Sequence, residues 1–160
     1  MTNKKNNKLN IKLYFIICVT FMILLDFFFT GYILNNISAV SDNFKFVDIV
    51  YAQNTGAAFS SFQHSIILLI FVSILAMLFL VYELLIKSVR YTPVFYFFSS
   101  MLFAGIFCNT FERVTLGYVR DFISLRFITF PVFNISDVLI NFSVLAIMYL
   151  IIKKKYLKND

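Results

Sequence analysis

The stretch from Leu13 to Leu34, LYFIICVTFMILLDFFFTGYIL, decides the fold class. Its 22 residues contain one charge, Asp26. A helix needs about 20 apolar residues, rising about 1.5 Å each, to cross a hydrocarbon core of about 30 Å. Working outward, three more stretches read the same way. Ser65 to Tyr82 has no charge and extends through Ile86 if Glu83 sits at the headgroups. Tyr91 to Phe111 has none either. Phe127 to Ile152 has one, Asp137, and Pro131 marks where its helix is expected to begin. Any one of these alone could be a buried helix of a soluble protein, but four in 160 residues leave no soluble part large enough to cover them.

Composition excludes a soluble globular domain on its own terms. The chain is 61% hydrophobic and only 14% charged, against roughly 25% charged in ordinary soluble domains. The expectation is a single membrane domain over residues 1–160, an all-α polytopic protein with helices near 12–34, 65–86, 91–111 and 132–152. Phe46–Tyr51 and Tyr118–Ile123 are rich in β-branched and aromatic residues and look extended. They predict a small β-rich subregion at the membrane surface.

Basic residues set the orientation. Lys4, Lys5, Lys8 and Lys12 precede the first helix, Lys87 and Arg90 lie in the short link after the second, and Lys153, Lys154, Lys155 and Lys158 follow the fourth. Both termini and that link are therefore expected in the cytoplasm, with segments 35–64 and 112–131 extracytoplasmic. Arg113, Arg120 and Arg126 fall on the outer side and require acids or anionic headgroups as partners. The first helix follows lysines as a signal peptide does. It is longer than a signal core, however, and has bulky residues from Thr30 to Leu34, so it reads as a retained anchor. The lysine clusters are topology signals rather than nucleic-acid contacts. Cys18 and Cys108 lie within apolar segments, and the single His64 has no ligand partner at metal-binding spacing.

Ionisable residues inside a membrane are costly and so point to function. Placed by depth, they converge. Asp26 lies in the outer half of helix one, Asn109 at the outer end of helix three before Glu112 and Arg113, and Asn134 and Asp137 in the first turns of helix four. Asn54-Thr55-Gly56-Ala57-Ala58-Phe59-Ser60 immediately precedes helix two, and Asp121 sits between helices three and four. All share one level, the outer membrane–water boundary. A Ser–His–Asp set and a Ser–Lys dyad both lack a plausible member. Asp121 and Asp137 remain. Two carboxylates in a poorly solvated site share a proton and can act as base and acid on a water attacking a peptide carbonyl. On spacing alone, the other reading is that each acid pairs with one of the three arginines and sets packing. A small transport or scaffold protein is a further alternative, but it predicts polar residues at the midplane or on both sides.

Four elements in order resemble the bacterial lipoprotein signal peptidases, or signal peptidase II, over almost the whole chain. The family's Asn-x-Gly-Ala-Ala-Phe-Ser matches Asn54 to Ser60. Its Gly/Ala-rich run into Asn-x-x-Asp-Arg matches Ala104-Gly105, Asn109, Glu112 and Arg113. Its Gly-x-Val-x-Asp-Phe matches Gly117, Val119, Asp121 and Phe122, and its Phe-Asn-x-x-Asp matches Phe133, Asn134 and Asp137. The resemblance implies a membrane aspartic endopeptidase with Asp121 and Asp137 as the catalytic pair. Asp26, Asn54, Gly56, Ala57, Asn109, Glu112, Arg113, Gly117 and Asn134 would bind substrate or support the site. It implies a lipidated prolipoprotein substrate, cut just before the diacylglyceryl-modified cysteine. It further implies a monomer in contact with membrane lipid in the bacterial cytoplasmic (inner) membrane, and neither metal nor organic cofactor. A non-catalytic homologue that binds lipoprotein signal peptides is the alternative within the family. The chain departs from the pattern at several positions: Phe27 and Thr30 stand where a Gln and a Lys are usual after Asp26, Cys108 replaces a glycine, and Glu112 replaces an Asp.

Overall fold

The computed structural model describes residues 2–37, 45–56, 65–87, 91–153 and 155–157. Among the described residues, four helices and two strands follow in the order α1 (Thr2–Asn35), β1 (Val47–Asn54), α2 (Ile66–Val81), α3 (Pro93–Leu116), β2 (Val119–Leu125) and α4 (Ile135–Ile152). A wider π-helical turn, Tyr82–Ile86, continues α2. Four helices are long and apolar enough to cross a membrane, over Ile11–Asn35, Ile66–Ile86, Pro93–Leu116 and Ile135–Ile152. The fold is thus a four-helix membrane protein with a small antiparallel sheet.

α3 is the central helix, and α1, α2 and α4 each pack against it. Its buried positions explain why. Ser99, Ser100, Ala104, Gly105 and Cys108 are small, so a neighbouring backbone can come close where apolar side chains gain nothing by leaving lipid. Gly105 is the tightest point. A Cβ there would meet the Ser136 carbonyl oxygen at 2.7 Å and Ile140 Cγ1 at 2.8 Å. α2 packs only at the periphery and buries no residue of its apolar span. At the end of the bundle away from the sheet, Phe15, Leu84 and Tyr96 form an apolar cluster, with the Tyr96 hydroxyl donating to the Leu84 carbonyl at 3.0 Å.

Three boundaries differ from the sequence reading by more than two residues. α1 was expected from about 12 and begins at Thr2, so the helix takes in Lys4, Lys5 and Lys8. α3 was expected to end near 111, with Glu112 and Arg113 in the outer segment. It continues to Leu116, because Glu112 is buried and bonded and the helix stops only at Gly117, whose φ of 81° gives the left-handed C-cap. α4 was expected to begin near 132, marked by Pro131. It begins at Ile135, with Asn134 as the N-cap rather than within the first turns. The preceding Phe133 is held by β2: its carbonyl accepts from Phe122 N–H (3.0 Å) and Ile123 N–H (2.8 Å), and its N–H donates to the Ile123 carbonyl (3.1 Å).

β1 and β2 pair antiparallel, with Ala52 opposite Asp121, Gln53 opposite Arg120 and Asn54 opposite Val119, and an irregularity between Ile49 and Ala52. Residues opposite each other share a face. Ala52, Asn54, Val119 and Asp121 therefore turn toward the helices, where Val119 and Asp121 are buried. Tyr51, Gln53, Tyr118 and Arg120 take the other face, and the Tyr51 and Tyr118 hydroxyls lie 3.2 Å apart.

Candidate active site

Asp121 comes from β2 and Asp137 from the first turn of α4. What brings these elements together is the backbone pairing of Phe133 to β2, one residue ahead of the Asn134 cap. Asn134 and Asp137 then form a capping box. Asn134 Oδ1 accepts from the Asp137 N–H (2.9 Å), and the Asn134 N–H donates to Asp137 Oδ2 (3.2 Å). The carboxylate thereby satisfies an orphan donor at a helix start, where the partial positive charge of the helix favours it.

Three asparagines tie the acids into one network. Asn134 Nδ2 donates to Asp121 Oδ1 (2.9 Å) and to Asn109 Oδ1 (3.0 Å), and Asn109 Nδ2 donates to Asp137 Oδ1 (2.8 Å). Asn54 Nδ2 donates to Asp121 Oδ2 (2.9 Å), while its Oδ1 accepts from the Gly56 N–H (3.0 Å). Each carboxylate oxygen of the pair therefore accepts one hydrogen bond from an amide and keeps a second lone pair. Amides are neutral, so they orient the acids without neutralising them. Burial, followed by the neighbouring Asp137 charge, pushes the Asp121 carboxyl up from its ordinary 3.8 to about 7, while the Asn54 and Asn134 hydrogen bonds and Arg113 oppose the rise. Asp137 is the more open of the two, half-buried where Asp121 is only 2% exposed.

The other expected residues surround this centre at different distances. Arg113 reaches back from α3 to donate through Nη2 to the Gly56 carbonyl (2.9 Å) and through Nη1 to its own Asn109 carbonyl (3.4 Å). Its cationic head thus ties the segment after β1 to the helix that carries Asn109. Glu112 does not touch the acid pair. Its carboxylate receives the Arg120 N–H (2.7 Å) and the Arg120 guanidinium at Nε (2.8 Å) and Nη2 (2.6 Å), so it fastens β2 to α3 across the Gly117 turn. Arg126 forms the analogous pair with Asp48 at the far end of the sheet (2.6 Å). Arg113, Arg120 and Arg126 thus all have partners within the chain. Ala57 lies outside the described residues.

Asp26 is buried on α1 and accepts at Oδ1 from the Ser136 hydroxyl (2.8 Å), next to Asp137 but not in the amide network. Sequence reasoning did not single out Ser136, whose one signal was a polar side chain beside a candidate acid in an apolar run. Phe27, at the position of the family's usual Gln, packs its ring 5.3 Å from that of Phe111. An aromatic contact between α1 and α3 therefore stands where a polar residue is usual.

Residues 17–153 match the family model described as Signal peptidase (SPase) II. The chain belongs to the signal peptidase II family. It is similar to the lipoprotein signal peptidase of Caldicellulosiruptor bescii, 40% identical over 109 residues that cover 68% of this chain and 69% of that protein. It is also similar to that of Caldanaerobacter subterraneus subsp. tengcongensis, 31% identical over 144 residues, 87% of this chain and 96% of the relative. A bacterial membrane enzyme solved in meso at 2.3 Å resolution superposes with a TM-score of 0.72 at 27% identity, covering 87% of each chain. As a signal peptidase II member the protein is a membrane-embedded peptidase, and the four-helix plan with its sheet is that of a known bacterial membrane enzyme.

Proposed function

We propose that the protein is an aspartic endopeptidase that removes the signal peptide from diacylglyceryl-modified prolipoproteins, cutting before the lipidated cysteine. The observation that carries this reading is the single amide network, Asn54–Asp121–Asn134–Asn109–Asp137, which joins two carboxylates at one end of the helical bundle. The substrate class follows the curated relatives, each named lipoprotein signal peptidase.

The chemistry needs one proton shared by two acids. Asp121, with its pKa near 7, is the natural holder of that proton, and Asp137, supported by the Asn109 amide and the Asn134 N–H, is the ionised partner. The proton belongs to the pair, so this value is a property of the couple. Asp137 takes a proton from a water as its oxygen attacks the carbonyl carbon, and Asp121 gives its proton to the carbonyl oxygen. The tetrahedral intermediate then collapses. The C–N bond breaks, the departing nitrogen takes the proton held by Asp137, and the hydroxyl that Asp121 protonated returns a proton to it. The pair ends as it began, with one proton.

We place the site on the extracytoplasmic side of the bacterial cytoplasmic membrane, with both termini inside. Lys87 and Lys153 lie at the bundle end away from the sheet, which supports that orientation. We further propose that the protein works as a monomer at the lipid boundary. The test is incubation of purified protein in detergent with a diacylglyceryl-modified precursor, followed by product mass. A product beginning at the modified cysteine supports the reading; an inert protein, or a cut elsewhere, contradicts it.

A further inference from the structure

Asn141 lies one turn along α4 from Asp137, about 6 Å deeper in the membrane at about 1.5 Å per residue. It is exposed. Its neighbours Val138, Phe142 and Leu145 are exposed as well, at 47%, 57% and 67%, as expected of a helix face turned to lipid. A primary amide on such a face is out of place, because hydrocarbon offers it no hydrogen-bond partner. The side chain is also directed: Asn141 Nδ2 donates to the Asp137 carbonyl at 2.8 Å, which points the amide along the helix toward the acid pair. That bond uses one of its two N–H hydrogens. The second N–H and the Oδ1 oxygen have no hydrogen-bond partner among the described residues, on a side chain that is exposed.

The proposed substrate has matching unmet groups. A signal peptide crosses the membrane as a helix, yet its scissile bond must be extended to meet two carboxylates and a water. The helix therefore ends just before the cut, and its last four carbonyls lose their intrahelical donors. Those carbonyls arrive below the level of the cut, inside the hydrocarbon edge, where each unmet polar group is costly. Asn141 sits one turn below Asp137 on nearly the same face of α4, with a second donor hydrogen and an acceptor left over.

We propose that Asn141 is a substrate-positioning residue that hydrogen-bonds the frayed C-terminal turn of the precursor's signal helix within the membrane. This rests on the prolipoprotein peptidase reading above and assigns to that reaction a contact outside the acid network. The residue does not touch the reacting atoms, so its effect falls on binding.

The test compares wild type with Asn141→Leu, Asn141→Ser and Asn141→Gln on a diacylglyceryl-modified precursor in detergent micelles, measuring KM, kcat and melting temperature. Asn141→Leu is expected to raise KM at least fivefold with kcat within twofold and melting temperature unchanged, and Asn141→Gln to recover most of the lost affinity. Asn141→Ser, smaller and still polar, guards against a leucine packing artefact and is expected to fall between. KM within twofold of wild type in both the Leu and Ser variants overturns the proposal. So does a loss that appears only as lower melting temperature and lower kcat. A wild-type protein inert on the precursor is a separate result: it takes down the peptidase reading itself, and this inference with it.

Discussion

Asn134 Nδ2 lies 2.9 Å from Asp121 Oδ1, while the backbone N–H of the same asparagine lies 3.2 Å from Asp137 Oδ2. One residue therefore holds both acids, and it does so while capping α4. The two roles separate by substitution. Asn134→Ser keeps a side-chain oxygen for the cap but loses the two-hydrogen donor. Its melting temperature is expected near wild type, while kcat falls about 100-fold, the scale of losing one oriented donor in a catalytic site. Asn134→Ala is expected to lose activity similarly and about 1 kcal/mol of stability besides. Initial rates and thermal melts in detergent check both.

The acid pair predicts a pH dependence with a definite sign. Asp121 holds its proton up to about pH 7 in the folded protein, against an ordinary 3.8. Below 7 the pair keeps the proton it needs; above 7 that proton is lost, so kcat is expected to fall as pH rises through about 7. Stability carries the same sign. Between about 4 and 7 the folded state binds a proton that the unfolded chain has released, so stability falls as pH rises across that window. Asp121→Asn is expected to flatten the stability profile there, measured as melting temperature against pH.

Gly105 is where α3 and α4 touch. A Cβ at this position meets the Ser136 carbonyl oxygen at 2.7 Å, and a backbone atom cannot rotate away. Asn109 sits one turn further along α3, and its amide must still reach Asp137. Gly105→Ala is expected to cost about 1–3 kcal/mol from overpacking and to lower activity by displacing that contact. Thermal melts and cleavage rates on the same preparation measure the two effects together.

Glu112 fastens β2 to α3 through three bonds to Arg120. Glu112→Gln keeps the shape but replaces a charge-assisted, two-pronged acceptor with a single amide oxygen. A stability loss of about 1–3 kcal/mol is expected. Because Asp121 follows Arg120 directly, a fall in kcat should accompany it.

Much of this was legible in the sequence. Apolar runs of about 20 residues, each with at most one charge, show the four spans because lipid permits little else. The strand-like pieces around Val47–Tyr51 and Val119–Ile123 do pair, because β-branched and aromatic residues fit a half-buried pleat. Two of the misread boundaries trace to demands from elsewhere in the chain. Glu112 and Arg113 interrupt an apolar run, yet a charged pair with partners can stay helical, and the stop came from the backbone of Gly117. Pro131 suggested a helix start, but the strand pairing of Phe133 was the stronger demand on the chain. Contacts between distant residues had no local trace. The Ser136 hydroxyl meets Asp26 across 110 positions, and no spacing rule reaches that far.

The central claim is that Asp121 and Asp137 together perform the cleavage. The most direct measurement gives a diacylglyceryl-modified precursor to wild type, Asp121→Asn and Asp137→Asn, each confirmed folded by its melting temperature, and follows release of the signal peptide. The account predicts cleavage by wild type and none by either variant, since an amide can neither hold nor exchange the shared proton. Continued cleavage by either folded variant at a rate near wild type would contradict it.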